Sequence, residues 1–196
     1  MKNLEIALFI SILASLTHIT AFIIYNYKQI SGSTKPNIIS WFLWACLASL
    51  NFLSYKSMSQ SWVVSLLSLT GSAMCTLTFL VSLIKGKFSK LNWVDYLALF
   101  FGLISICIWA LYKSAMYANF VVLFGVAVGF IPTYKSVFSN PKNEPSIPWL
   151  FWSTAFFLGL IVVILKFDGK LGNFVYPISM FILHGGIWVK SKMHSN

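Results

Sequence analysis

The stretch Lys35-Pro36-Asn37-Ile38-Ile39-Ser40-Trp41-Phe42-Leu43-Trp44 returns about a hundred residues later as Glu144-Pro145-Ser146-Ile147-Pro148-Trp149-Leu150-Phe151-Trp152. Trp41 and Trp149 lie 108 residues apart, and so do Trp44 and Trp152. Upstream, Tyr27-Lys28 answers Tyr134-Lys135 at an offset of 107, and Pro36 answers Pro145 at 109. Downstream, the apolar run closing in Lys85-Gly86-Lys87 answers the one closing in Lys190-Ser191-Lys192 at 105. Joint agreement of these features at nearly one offset marks an internal duplication.

Composition says what is duplicated. The chain has 196 residues, of which 58% are hydrophobic and 9% charged, with a mean hydropathy of +0.80. A soluble domain has no surface for so much apolar material, so an integral membrane protein is expected. About 20 apolar residues cross a bilayer as helix. Seven segments of that kind run from Leu4 to Tyr25, Asn37 to Tyr55, Trp62 to Ile84, Trp93 to Leu111, Met116 to Tyr134, Ser146 to Leu165 and Asn173 to Val189. None alternates polar and apolar residues as a membrane barrel would, which leaves helices. The connections are too short for a second, soluble domain. The first segment, with Lys2 ahead of an apolar run, also fits a secretory signal peptide. Glu5, the length of the run and the duplication favour a first helix instead.

The duplication then predicts an all-α protein of seven transmembrane helices in a 3+1+3 layout: a three-helix repeat over 1–90, a spacer helix over 91–114 and a second three-helix repeat over 115–196. With a single spacer between them, both repeats start on the same side of the membrane, as parallel repeats do. All fourteen basic residues are lysines, and the formal net charge is +10. Nucleic-acid binders gather basic charge on one face and use arginine, so that class is set aside. Five lysines (2, 56, 113, 166, 170) fall on the N-terminal side and nine (28, 35, 85, 87, 90, 135, 142, 190, 192) on the other. By the positive-inside rule the N-terminus is outside and the C-terminus cytoplasmic. A bacterial inner membrane is the simplest home. Cys46, Cys75 and Cys107 sit singly in apolar segments and imply neither disulfide nor metal.

In layout and length the chain resembles the SWEET and PQ-loop superfamily of small membrane transporters, and the resemblance covers the whole chain. Ile131-Pro132-Thr133-Tyr134-Lys135 keeps the proline of the Pro-Gln pair, with Thr133 in place of glutamine. The counterpart Tyr25-Asn26-Tyr27-Lys28 keeps an amide in Asn26 without the proline. The resemblance implies a solute site between the two repeats, enclosed in sugar carriers by a tryptophan pair and an asparagine pair. Trp44 and Trp152 supply the tryptophans. No asparagine pair lies deep in the third and seventh segments, Asn173 standing only at the start of the seventh, so the solute stays unnamed.

The residues themselves point to the same region. Trp41, Trp44 and Asn51 fall on one helical face, as do Trp149, Trp152 and Gly159. An aromatic face, an amide and a glycine that leaves room suit a small polar ligand. Trp41 and Trp149, in the first turns, are expected as interface anchors. Trp44 and Trp152 lie about 4.5 Å deeper, where pocket and anchor both fit. Ser65, Ser68, Ser72, Cys75, Thr76 and Phe79 form a small-residue stripe suited to close helix packing, and Gly125 and Gly129 do the same. Pro132 is a candidate hinge or a helix end. Ionisable groups deep in a bilayer are expensive, which singles out His18 and His184. Each fits a hydrogen-bonded neutral histidine or a ligand and proton group; Phe22 and Tyr25 share the face of His18. Asp95 is expected as a first-turn charge, and Asn119 is a further pocket candidate.

The function expected is a facilitator or proton-coupled carrier for a small polar solute, in contact with the lipid bilayer, with homo-oligomerisation open. The alternative is a receptor or assembly protein of the same architecture, as in KDEL receptors, with a charged ligand cavity. No paired carboxylates, HExxH or nucleophile with a base at recognisable spacing is present, so no enzyme and no cofactor or metal is expected.

Overall fold

Six helices are long and apolar enough to cross a membrane, and they make the chain an all-helical integral membrane protein. A computed structural model describes residues 2–32, 37–88 and 90–192; the match of Pro36 to Pro145 lies outside the described residues. The helices are α1 (Lys2–Ile30), α2 (Ile38–Ser59), α3 (Trp62–Lys85), α4 (Trp93–Tyr112), α5 (Ala115–Gly129), α6 (Ile131–Ser139), α7 (Ser146–Leu165) and α8 (Val175–Lys192), with 3-10 turns at Pro141–Asn143 and Leu171–Phe174. The spans are α1 to α4, α5 with α6, and α7. The seventh expected span, α8, is 18 residues long but less apolar, because Lys190 and Lys192 fall in its last turn.

Polar side chains at the loops start these helices. Asn37 accepts from the Ile39 amide, Ser61 from Val64 and Ser114 from Tyr117, which satisfies first-turn donors that lipid cannot. Asn92 and Asp95 form a capping box, with the Asp95 carboxylate accepting from the Asn92 amide at 2.9 Å. Gln60 and Lys113 take left-handed conformations at the C-termini of α2 and α4 (φ 55° and 54°). That conformation turns the chain sharply, so two residues suffice to reach the next helix.

The fifth predicted segment is broken rather than continuous. Pro132 has no N–H to donate to the carbonyl of Val128, four residues earlier, and its ring crowds that turn. The Phe130 N–H reaches the Ala127 carbonyl at 3.1 Å instead, a tightened 3-10 step between α5 and α6. The break thus falls two residues ahead of the proline.

α1 packs on α3 and α7; α2 on α3, α5 and α4; α4 on α5; and α7 on α8. Hydrogen bonds stitch α1 to α3: the Ser11 hydroxyl donates to the Val63 carbonyl (2.7 Å), and Asn26 Nδ2 to Thr78 Oγ1 (2.9 Å). Cross-helix bonds between small polar groups, together with close backbone approach, are how helices associate in lipid. Gly125 shows the approach directly, since a Cβ there would sit 2.9 Å from Phe101 Cβ in α4. A Cβ at Gly159 would meet Leu67 Cδ2 at 2.8 Å. Gly159 therefore makes room for α3, not for a ligand opposite Asn51, which corrects the expectation from sequence. The two clashes differ in kind, because Leu67 can swing its methyl away whereas Phe101 Cβ is fixed to its backbone. Gly125→Ala is accordingly expected to destabilise by about 1–3 kcal/mol through overpacking, and Gly159→Ala by less. Thermal unfolding in detergent measures both; equal midpoints would contradict the assignment.

Candidate functional site

A cavity of about 870 Å³ runs into the bundle. Exposed Lys87, Lys142 and Asn143 stand at its mouth, with Glu144 beside them. The mouth therefore lies at the end of the bundle that carries the greater number of lysines. A hydrogen bond from the Ile38 amide to the Lys87 carbonyl (3.1 Å) ties the start of α2 to the segment after α3 at this rim.

Aromatic rings from several helices make the walls. α7 contributes Trp149, Trp152 and Phe156, α2 contributes Trp41 and Trp44, and α1 contributes Phe22 and Tyr25. They pack edge to face: Trp149 on Trp152 at 5.0 Å, Phe22 on Trp152 at 5.1 Å and Trp44 on Phe130 at 5.0 Å. Such geometry suits the ring quadrupoles and holds each ring against its neighbours. Trp44 also lies over Gly129, 3.4 Å from where a Cβ would stand. Trp149 is buried and lines the cavity, and its indole N–H donates to Glu144 Oε2 at 3.1 Å. It is not an interface anchor, and neither is Trp41, whose ring meets Tyr25 at 5.3 Å inside the same cavity.

Five of the six expected binding residues reach the cavity: Trp44, Trp152, Asn51, His18 and His184. Pro132 lines its wall below the helix break. His184 sits among Phe130, Trp149, Trp152 and Phe156, with ring centroids 4.9 to 5.7 Å away. Its Nδ1 lies 2.8 Å from the Met180 carbonyl. A carbonyl only accepts, so Nδ1 carries the proton and Nε2 presents a lone pair. His18, 97% buried from its 3% exposure, meets Phe22 and Phe156 edge on, at 5.1 and 5.2 Å. Gly71 faces it: a Cβ there would stand 3.3 Å from the His18 ring and 3.8 Å from the Tyr176 hydroxyl. Trp152 Nε1 and His18 Nδ1 are buried and have no hydrogen-bond partner among the described residues. Buried polar groups are normally paired, so two open ones in a single cavity mark where a polar guest fits.

Asn119 is placed differently. It does not line the cavity; it is fully buried behind it, in α5. Its Nδ2 donates to Asn51 Oδ1 and to Ser54 Oγ in α2, both at 3.0 Å. Nearby, the Tyr55 hydroxyl donates to the Asn173 carbonyl at 2.7 Å, and the Tyr55 and Tyr176 rings pack at 5.0 Å. These contacts join α2 to α5 and to the start of α8 at the end of the bundle opposite the mouth. Of the small-residue stripe on α3, Ser68 and Cys75 line the cavity, Ser72 bonds Ser49 in α2 at 2.9 Å, and Thr76 is exposed. The stripe therefore serves both packing and lining.

Sequence alone missed Glu144, Phe130, Phe156 and Tyr176 as lining residues. Glu144 and Trp149 did stand five residues apart inside the repeated stretch, which was the available signal. Burial raises Glu144 from its ordinary 4.5 to about 7, with the Trp149 hydrogen bond opposing the rise. The native state thus holds a proton on this carboxyl between about pH 4.5 and 7 that the unfolded chain has released. Its contribution to stability is full below the lower value and is lost as pH rises through the higher. Thermal midpoints should therefore fall between pH 5 and 8, and Glu144→Gln should flatten that fall. An unchanged slope in the variant would rule the assignment out.

Among the described residues, no three His, Cys, Asp or Glu side chains gather as a metal site would need. No family model matches the chain, and no curated protein and no solved structure matches it.

Proposed function

We propose that the protein is a membrane transporter for a small polar solute, which it binds in the central cavity between two three-helix repeats. The observation that carries this reading is a polar-studded aromatic cavity open at one end of a membrane-spanning bundle and bolted at the other. That is the form of a carrier resting with one side open. The helix contacts support the 3+1+3 layout. α1, α2 and α3 pack together, α7 packs on α8 with α5 and α6 beside it, and the two sets meet through α1 with α7 and α2 with α5. Those last two contacts exchange under a two-fold relation that maps α1 to α5 and α2 to α7. The repeats are then 1–90 and 115–196, with α4 in the spacer of 91–114. The lysine-rich mouth faces the cytoplasm by the positive-inside rule, in a cell membrane such as the bacterial inner membrane.

In the transport cycle the two sets rock about the solute, closing the mouth and parting the bolt of Asn119, Asn51 and Ser54. The break ahead of Pro132 gives α6 freedom to move relative to α5. The receptor reading predicts a charged ligand cavity, whereas the deep lining is aromatic and neutral and its charges sit at the mouth. Two-sided accessibility separates the two. Ala48, half-buried on α2, lines the cavity. An A48C variant, made with the native cysteines at 46, 75 and 107 replaced by serine, should react with an impermeant thiol reagent from the lysine-rich face in the resting state. It should also react, more slowly, from the other face. Reaction from one face only, under every condition, would count against transport.

A further inference from the structure

We infer that the solute is a flat, uncharged nitrogen heterocycle of the nucleobase kind, bare or carrying a neutral sugar. This rests on the cavity serving as the solute site of the proposed transporter, and it names the class of molecule that site takes. Charge comes first. Among the described residues, the charged ones in the lining are Lys87, Lys142 and Glu144, all at the mouth. A charged guest carried down among the rings would lose its water with no counter-charge to meet, which is costly at membrane depth. A quaternary ammonium suits aromatic cages in general. Here it must pass two lysines, and the one carboxylate is already engaged by the Trp149 indole at 3.1 Å.

Hydrogen-bonding capacity comes second. Few polar groups of the deep cavity are left open: Ser68 Oγ donates to the Ser65 carbonyl at 2.8 Å, whereas His18 Nδ1 has no partner among the described residues. Trp152 Nε1 is a donor without a partner among the described residues, and indole only donates. His184 Nε2 is an acceptor, because Nδ1–H is spent on the Met180 carbonyl at 2.8 Å. The Asn51 side chain is already spent, its Oδ1 accepting from Asn119 at 3.0 Å and its amide nitrogen donating to the Tyr176 hydroxyl. A polyol such as a hexose needs a partner for each of several hydroxyls, and each one buried without a partner costs binding. A heterocycle with a carbonyl or ring nitrogen and one N–H answers this set: its acceptor takes the Trp152 proton and its N–H meets His184, with His18 Nδ1 open to a second polar group of the guest.

Shape comes third. Trp41 and Trp44 from α2, and Trp149 and Trp152 from α7, bring indole surface to one cavity from two different sides of the bundle. Base-on-aromatic stacking is favourable for every base and needs a π face on the guest. A volume of about 870 Å³ admits a nucleoside as readily as a free base.

Thermal shift of the full chain in detergent tests the class. The probes are uridine, uracil and adenosine against glucose, choline and glutamate, with 1,3-dimethyluracil as the analogue whose N–H groups are blocked. At least one of the three heterocycles is expected to raise the unfolding midpoint by several degrees at saturation, as a ligand specific for the folded state must. Glucose, choline and glutamate should leave it unmoved. Dimethyluracil should bind at least five-fold more weakly than uracil. Trp152→Phe keeps a six-membered ring and loses the pyrrole with its N–H, so it should weaken heterocycle binding at least about five-fold, for one hydrogen bond of about 1 kcal/mol, while its ligand-free midpoint falls far less than that of Trp152→Ala. Stabilisation by glucose or choline alone, or by none of the heterocycles up to 10 mM as a rough ceiling, overturns the inference. Failure of the transport reading looks different: heterocycles then bind with the stated pattern, but proteoliposomes carry none of them across.

Discussion

Replacing Trp152 by alanine is expected to abolish solute transport. Its ring is 97% buried from a 3% exposure and touches Phe22, Tyr25, Trp149 and His184, so truncation opens the wall of the cavity at its centre. Central, fully desolvated aromatic anchors cost about 2 kcal/mol or more on truncation, which is about thirty-fold in binding. The same truncation removes core packing, at about 3–5 kcal/mol of stability. Trp152→Phe separates the two effects in part: it keeps a six-membered ring in the wall and loses the fused pyrrole with its N–H. The expected order of flux is wild type, then Trp152→Phe, then Trp152→Ala at background. Uptake in W152A equal to the wild type would remove Trp152 from the site.

The second large effect is expected at Asn119, on structure rather than on the solute. Asn119→Ala deletes both donors to Asn51 Oδ1 and Ser54 Oγ and leaves these acceptors buried without that partner. The cost is about 1–3 kcal/mol for the stranded groups. Because the lost bonds span α2 and α5, they weaken the closed end selectively. In an Asn119→Ala background, the A48C thiol should react several-fold faster from the lysine-poor face, with its rate from the lysine-rich face little changed. Equal acceleration from both faces would mean general loosening rather than release of a bolt. Solute binding should change less than in W152A, since Asn119 supports Asn51 from behind.

How far the sequence reaches can be traced residue by residue. The Trp41–Trp44–Asn51 face follows from helical periodicity alone, and the folded chain turns all three into the cavity. The face shared by His18, Phe22 and Tyr25 was legible for the same reason. Pro132 announced a break because its missing N–H is a covalent fact, although the break falls at Phe130. Trp149 was misread because first-turn tryptophans of membrane helices commonly sit in the headgroups. Here the following helix and Glu144 enclose it, and that partnership exists only once the loop folds back. Phe156 and Tyr176 were illegible for a related reason: a helix apolar on all sides gives no sign of which side meets lipid. Asn119 looked like a ligand group, and only the packing of α5 against α2 shows it spending its protons on Asn51 and Ser54. The helices themselves were the most legible part, because hydropathy and caps are local. The lower hydropathy of α8 reflects the lysines at its end and the polar His184-Gly185-Gly186 step within it.

Counterflow in proteoliposomes puts the central claim to its most direct test. Vesicles reconstituted with the protein are loaded with unlabelled uridine, adenosine, glucose or an amino acid, and uptake of trace label of the same solute is followed. At least one solute should accumulate transiently in wild-type vesicles, with none accumulating in vesicles holding W152A of matched, folded quantity. Absence of counterflow for every solute in the wild type, or counterflow equal in W152A, would contradict a carrier built around this cavity.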